Sequence, residues 1–182
     1  PDHPLVIEWH PFQLNPDMPA KGMNRRIYLE KKFGGKDGAI KAYTPILENV
    51  RKAGLKINFE KMRRTPNTLD AHRLIHWSGI EGKQTAVVSA LFKSYFCKAL
   101  DIGNHDVLVD IAASIDMDSD VVRKLLLSNA DRSNITARDT HSRKMGVNSV
   151  PTFVVNGKYV VSGAQPPELW AKVISEMRQK ET

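Results

Sequence analysis

Gly146-Val147-Asn148-Ser149-Val150-Pro151-Thr152-Phe153-Val154-Val155-Asn156-Gly157-Lys158-Tyr159-Val160-Val161-Ser162-Gly163 decides how the rest of the chain is read. Residues 152–155 are apolar and rich in β-branched side chains, the composition of a buried strand. Asn156-Gly157 predicts a tight hairpin, because both residues tolerate the positive φ that a type I′ turn demands. Residues 159–161 then form the return strand, and Ser162-Gly163 stops it. Val150-Pro151 stands at the entrance to the first strand, where proline cannot donate to a ladder. Such a proline either opens a strand in the trans form or makes a cis corner that leaves the preceding backbone open to a ligand.

Working outward, the 182 residues suit one domain or a small core with one large insertion, and the mix of 41% hydrophobic and 26% charged residues is that of a globular protein. No apolar run is long enough to span a bilayer, and Pro1-Asp2-His3-Pro4 has no signal-peptide pattern. One cysteine, Cys97, excludes an intramolecular disulfide framework and a Cys-rich metal site. The net charge of +7 raises the question of nucleic acid. Its pairs (Arg25-Arg26, Lys31-Lys32, Arg51-Lys52, Arg63-Arg64) alternate with acids and lack interleaved stacking aromatics, so they read as solvated surface.

On the N-terminal side, residues 5–12 (Leu-Val-Ile-Glu-Trp-His-Pro-Phe) form a strand pattern, and residues 13–19 a proline-stiffened loop. Asn24 caps a helix to Phe33, stopped by Gly34-Gly35; a second helix carries Tyr43, Ile46, Leu47 and Val50 on one face, with a kink or restart at Pro45. Residues 56–60 look extended. From Asn67 the pattern is helical for about eighty residues, so several short helices are expected. His72 and His76 share a helical face at a spacing that can grip a metal, but no third ligand is evident and packing histidines are the plainer reading. A helix over residues 85–100 buries Val88, Leu91, Phe92, Tyr95 and Ala99 by spacing, with Cys97 on the opposite side beside Lys93. Asn104 and Asp118 or Ser119 cap the next two helices; another, about residues 136–145, ends at Gly146, and Pro166-Pro167 opens the last.

Three separated stretches resemble one known family. Ser-Val-Pro-Thr-Phe-Val-Val-x-Gly (149–157) with Val-Ser-Gly-Ala-Gln-Pro-Pro-Glu (161–168), Pro-Phe-Gln-Leu-Asn-Pro-Asp-Met-Pro (11–19) and Asn-Thr-Leu-Asp-Ala-His-Arg-Leu (67–74) are similar to DsbA-like thioredoxin-fold proteins, especially the FrnE-type predicted dithiol-disulfide isomerases. The resemblance implies an α/β thioredoxin-like sheet, built from residues 1–20 and 146–182, around an all-helical insertion at 21–145. It implies a cis Pro151 facing a reactive cysteine pair, with Ser149, Val150, Pro151, Thr152 and Asn15 lining the substrate path. It also implies a cytoplasmic setting, a protein or small thiol or disulfide as substrate, no cofactor or metal, and neither nucleic acid nor membrane as partner.

The first strand, the Cys-x-x-Cys turn and the catalytic helix of that family have no counterpart here, so the chain reads as N-terminally incomplete and inactive alone. The absent strand belongs between residues 6–12 and 152–155. Leaving it out strands backbone groups at roughly 1–3 kcal/mol for each one buried and unpaired. A homo-oligomer covering that gap is the corresponding expectation. Two alternatives stand beside the oxidoreductase. One is a glutathione-dependent isomerase or transferase of the kappa or 2-hydroxychromene-2-carboxylate isomerase type, although Ser162-Gly163-Ala164-Gln165 lacks the acid such proteins carry there. The other is a non-catalytic binding or assembly module.

Overall fold

The structure is a computed structural model that describes residues 6–180. Its centre is helical, and each boundary has a local cause. A two-residue strand, β1 (Met23–Asn24), leads into α1 (Arg25–Phe33), where Asn24 Oδ1 accepts the Ile27 N–H and left-handed Gly34 ends the helix. Helix α2 (Lys36–Lys52) follows at once. It runs through Pro45 without a restart. Both sides of that position face solvent, where water can satisfy the carbonyl that proline leaves unpaired. The stretch at 56–60 forms no strand. Instead β2 (Arg64–Thr65) pairs antiparallel with β1, a bridge too short for a periodicity to announce. Gly22 is needed beside it: at φ 65° a Cβ there would lie 2.5 Å from the Thr65 carbonyl oxygen.

Helices α3 (Leu69–Ile80), α4 (Gln84–Phe92), α5 (His105–Ala113), α6 (Ser119–Leu127) and α7 (Arg132–Lys144) enclose the core. Leu74, Val87, Leu108, Ala112, Leu126 and Ile135 are its most deeply buried apolar residues. The caps foreseen at Asn104 and Asp118 are present, Asp118 Oδ1 accepting from the N–H groups of both Asp120 and Val121 at 3.0 Å. The expected stripe after Val88 and Leu91 breaks down at the end of α4. Residues Lys93–Cys97 form a π-helical turn, marked by Lys98 N–H donating to the Lys93 carbonyl at 3.1 Å. Phe92, just before the turn, already points outward, and within it Ser94 is buried while Tyr95 is only partly so; Cys97 is exposed, on the side its spacing gave it.

Two expectations for the sheet are corrected. Residues 6–12 are not a strand. The Trp9 backbone bonds instead to the Gln84 side chain, its N–H to Oε1 at 2.9 Å and its carbonyl to Nε2 at 3.2 Å. No described strand lies beside the segment to offer a ladder. Likewise β3 (Thr152–Val155) is not buried. It pairs only with β4 (Tyr159–Ser162), and Val154 and Val160 are 51% and 64% exposed. The turn between them is as read: Asn156 and Gly157 have φ of 52° and 66°, and the Lys158 N–H donates to the Val155 carbonyl. Helix α8 (Pro167–Lys180) sets Trp170 edge-on against Phe153, ring centroids 4.6 Å apart.

Candidate functional site at the Val150–Pro151 corner

Helix α7 delivers the chain to the corner through left-handed Gly146, whose N–H still bonds the Arg143 carbonyl. The Val150–Pro151 peptide is cis. Two bonds fasten the turn from within: Thr152 Oγ1 donates to the Ser149 carbonyl at 2.7 Å, and the Gly163 N–H donates to the Pro151 carbonyl at 2.8 Å. Ser149, Val150 and Pro151 are exposed and Thr152 is partly buried. The Val150 N–H and C=O bond to no described residue. An open, sterically fixed edge of backbone, with one donor and one acceptor, is suited to hold another extended chain.

The other residues weighed from the sequence are bonded to different partners. Asn15 accepts a hydrogen bond from the Tyr28 hydroxyl at 2.7 Å, and no described bond joins it to the corner. Cys97 sits on the π-helical turn, bonded to nothing at the corner. His72 is held between the Thr68 carbonyl, 2.7 Å from Nδ1, and the Phe12 backbone. Burial depresses its pKa below the ordinary value, although both backbone bonds favour the charged ring. His76 faces Asp131 and Arg138. No group of three or more His, Cys, Asp or Glu among the described residues is placed to hold a metal ion.

Two side chains that the patterns did not single out tie the proline-rich loop to the helix that carries the corner. Asp139, nearly fully buried, accepts the Gln13 N–H at 2.8 Å and pairs with Arg143 at 3.1 Å. Arg143 in turn donates to the Gln13 carbonyl and lies 4.3 Å over the Phe12 ring. Their i, i+4 spacing is the one available signal, and it is shared by many solvent-facing pairs. A second buried group sits deeper. Arg73 is fully buried and donates to the carbonyls of Leu125, Leu126, Ser128 and Ala130 and to Asp70. Asp70 also meets His105 Nε2 at 2.8 Å and Arg132 at 3.0 Å. Burial works to raise its pKa, but the bonds to Arg73 and His105 and the charge of Arg132 outweigh it and hold the carboxyl below its usual value. An open groove of about 710 Å³ along α7, lined by Arg132, Thr136, Thr140, His141 and Lys144, does not reach the corner.

The model of the DSBA-like thioredoxin domain matches residues 2–175, nearly the whole chain. The chain belongs to the DSBA-like thioredoxin domain family. Over 177 residues it is 24% identical to the uncharacterized protein YwbO of Bacillus subtilis, covering 97% of this chain and 84% of that one. It also superposes on the crystal structure of a probable DsbA oxidoreductase from Streptomyces coelicolor with a TM-score of 0.79 at 24% identity, covering 94% of this chain and 74% of that one. The fold is thus a DsbA-like thioredoxin fold in which helices greatly outnumber strands. Among the described residues of this DsbA-like chain no helix is long and apolar enough to cross a membrane.

Proposed function

We propose that this chain is the proline-corner half of a FrnE-type thiol–disulfide oxidoreductase acting in the cytoplasm, whose reactive dithiol lies on a segment outside residues 1–182. The observation that carries this reading is the exposed Val150 directly before cis Pro151, its N–H and C=O bonded to no described residue. Family membership supports the chemistry, and the single cysteine of these residues leaves the dithiol to be supplied from elsewhere. The uncovered apolar hairpin supports a missing neighbour in the sheet. In this reading residues 1–20 and 146–182 are the thioredoxin-like core and 21–145 the helical insertion.

The reaction is thiol–disulfide exchange. A thiolate of the dithiol attacks one sulfur of a substrate disulfide, forming a mixed disulfide and expelling the other sulfur as a thiolate. The second thiol, after losing its proton, displaces the substrate. The role of this chain is alignment: Val150 takes the substrate's extended backbone as an added strand, while Ser149 and Thr152 hold the corner and Asn15 flanks the path. The substrate is a protein or small disulfide.

Insulin-disulfide reduction tests the proposal. Residues 1–182 alone are expected to give no turnover above background, and the chain extended with its own upstream coding sequence is expected to turn over. A Cys-x-x-Cys in that upstream sequence supports the reading; a serine in the nucleophile's place moves the chain to glutathione-dependent chemistry. Robust turnover by residues 1–182 alone overturns it and points to Cys97. Sedimentation separates the two ways of covering the hairpin, by the upstream segment or by a second copy.

A further inference from the structure

The charge of this protein is not spread evenly. Residues 21–64 hold thirteen Lys and Arg against four Asp and Glu, a net of +9, so with +7 for the whole chain the remaining residues sum to −2. These residues are β1, α1, α2 and the return to β2, a hairpin standing on the helical core. Few of its cations are neutralised: Arg26 reaches Glu30 at 3.8 Å and Arg64 reaches Asp101 at 3.1 Å. Lys36, Lys41, Arg51, Lys52, Lys56 and Lys61 have no acidic partner among the described residues.

The hairpin is also rigidly seated. Arg25, buried with no carboxylate beside it, donates to the hydroxyls of Tyr43 at 2.6 Å and Tyr95 at 3.2 Å. Its guanidinium lies 5.4 Å from the Tyr43 ring and 5.9 Å from the Phe59 ring. At the elbow, Gly38 packs so closely that a Cβ there would overlap the Phe33 carbonyl. On α2, Ile40 and Leu47 are 55% and 42% exposed. They share one helical stripe with Lys36 and Arg51, each four residues further out. A pair of half-exposed aliphatic side chains bracketed by cations is the pattern of a protein-docking surface: anchors in the middle, steering charges at the rim.

We propose that residues 21–64 are a docking platform for an acidic segment of a partner protein, one carrying aliphatic or aromatic side chains between its carboxylates. A second copy of this chain meeting it face to face does not fit there, since the face would meet its own positive charge. Nucleic acid is disfavoured because Phe33, Tyr43 and Phe59 are packed against one another and offer no stacking surface. A bilayer is disfavoured because the two anchors are half-covered and cannot insert. The platform is independent of the dithiol reading, and its test involves no redox step.

The test is fluorescence anisotropy with the full chain and a fluorescein-labelled peptide of repeating Glu-Leu-Asp-Phe. The triple variant Lys36→Glu, Lys41→Glu, Arg51→Glu is expected to weaken binding by at least about tenfold, and a control triple, Lys124→Glu, Lys158→Glu, Lys172→Glu, by no more than about twofold. Ile40→Ser with Leu47→Ser is expected to weaken it by roughly tenfold at unchanged charge. Raising salt on the unmodified chain from about 0.1 to about 1 M shortens the screening length from roughly 10 to roughly 3 Å and is expected to abolish the steering, which needs no variant to fold. Three results overturn the proposal. One is equal loss in both triples. Another is equal binding of a Glu-Ser-Asp-Ser peptide. The third is displacement of the peptide by phosphatidylglycerol vesicles or duplex DNA at lower concentrations than an unlabelled copy needs.

Discussion

Arg73 gives up all contact with water to hold four backbone carbonyls at the join between α6 and α7, stacked 4.9 Å from the Trp77 ring. The Leu125 carbonyl also accepts from the N–H and hydroxyl of Ser128, but no other described hydrogen bond reaches the carbonyls of Leu126, Ser128 and Ala130. Arg73→Met is expected to lower unfolding free energy by roughly 3–5 kcal/mol in urea titration, because it leaves Asp70 short of a partner as well as the carbonyls. His72 and Asp70 set the acid side of stability. The folded pKa of His72 lies below its unfolded value, so the unfolded chain binds that proton first. Its contribution is therefore full above the ordinary histidine pKa and drains away as pH falls through the folded one. Asp70 follows at lower pH: stability present above the ordinary carboxylate pKa is lost as pH drops through its depressed folded value. Urea midpoints are expected to fall in two stages on acidification, and His72→Gln to remove the first. A midpoint flat between neutrality and about pH 5.5 would exclude the histidine stage.

Helix α6 shows how much the residue capping an element decides. Asp118 supplies one carboxylate oxygen to two N–H groups that would otherwise be orphaned, and Asp118→Ala is expected to cost about 1 kcal/mol by thermal unfolding. The same logic made Asn24, Asn104 and Asp118 readable in advance, since a cap is a local event between neighbours in the chain. The hairpin turn was readable for the same reason: Asn156-Gly157 fits the required φ with no help from elsewhere. What escaped was set by distant partners. Residues 6–12 have strand composition, but composition cannot supply a neighbour, and the Gln84 side chain takes its place. The π-helical turn at Lys93–Cys97 outvoted a clean 3.6-residue stripe, and Asp139 with Arg143 looked like any surface pair until the Gln13 loop lay across it. Asp139→Asn is expected to loosen that loop ahead of the fold, with faster amide exchange at Gln13 and little change in global unfolding.

For the molecule as a whole, the helical core closes on itself and the sheet does not. The hairpin exposes Val154 and Val160 on one face and Phe153 and Tyr159 on the other, apolar surface that a finished sheet would bury. Residues 1–182 are expected to bind a hydrophobic dye, or to self-associate in sedimentation, until that surface is covered. A dye-silent monomer would contradict the open-sheet reading. The corner at Val150 was visible from its proline and the strand after it, whereas its accessibility depends on what lies beside the hairpin.

The contact between Phe153 and Trp170 has a practical consequence. Of the three tryptophans, Trp77 is locked in the helical core with its indole N–H on Asp131, and Trp9 is bonded to Thr85. Trp170 touches the hairpin through its edge-on contact with Phe153. Its emission colour is therefore a built-in optical gauge of the sheet, turning bluer when something settles over the strands, without any label being attached.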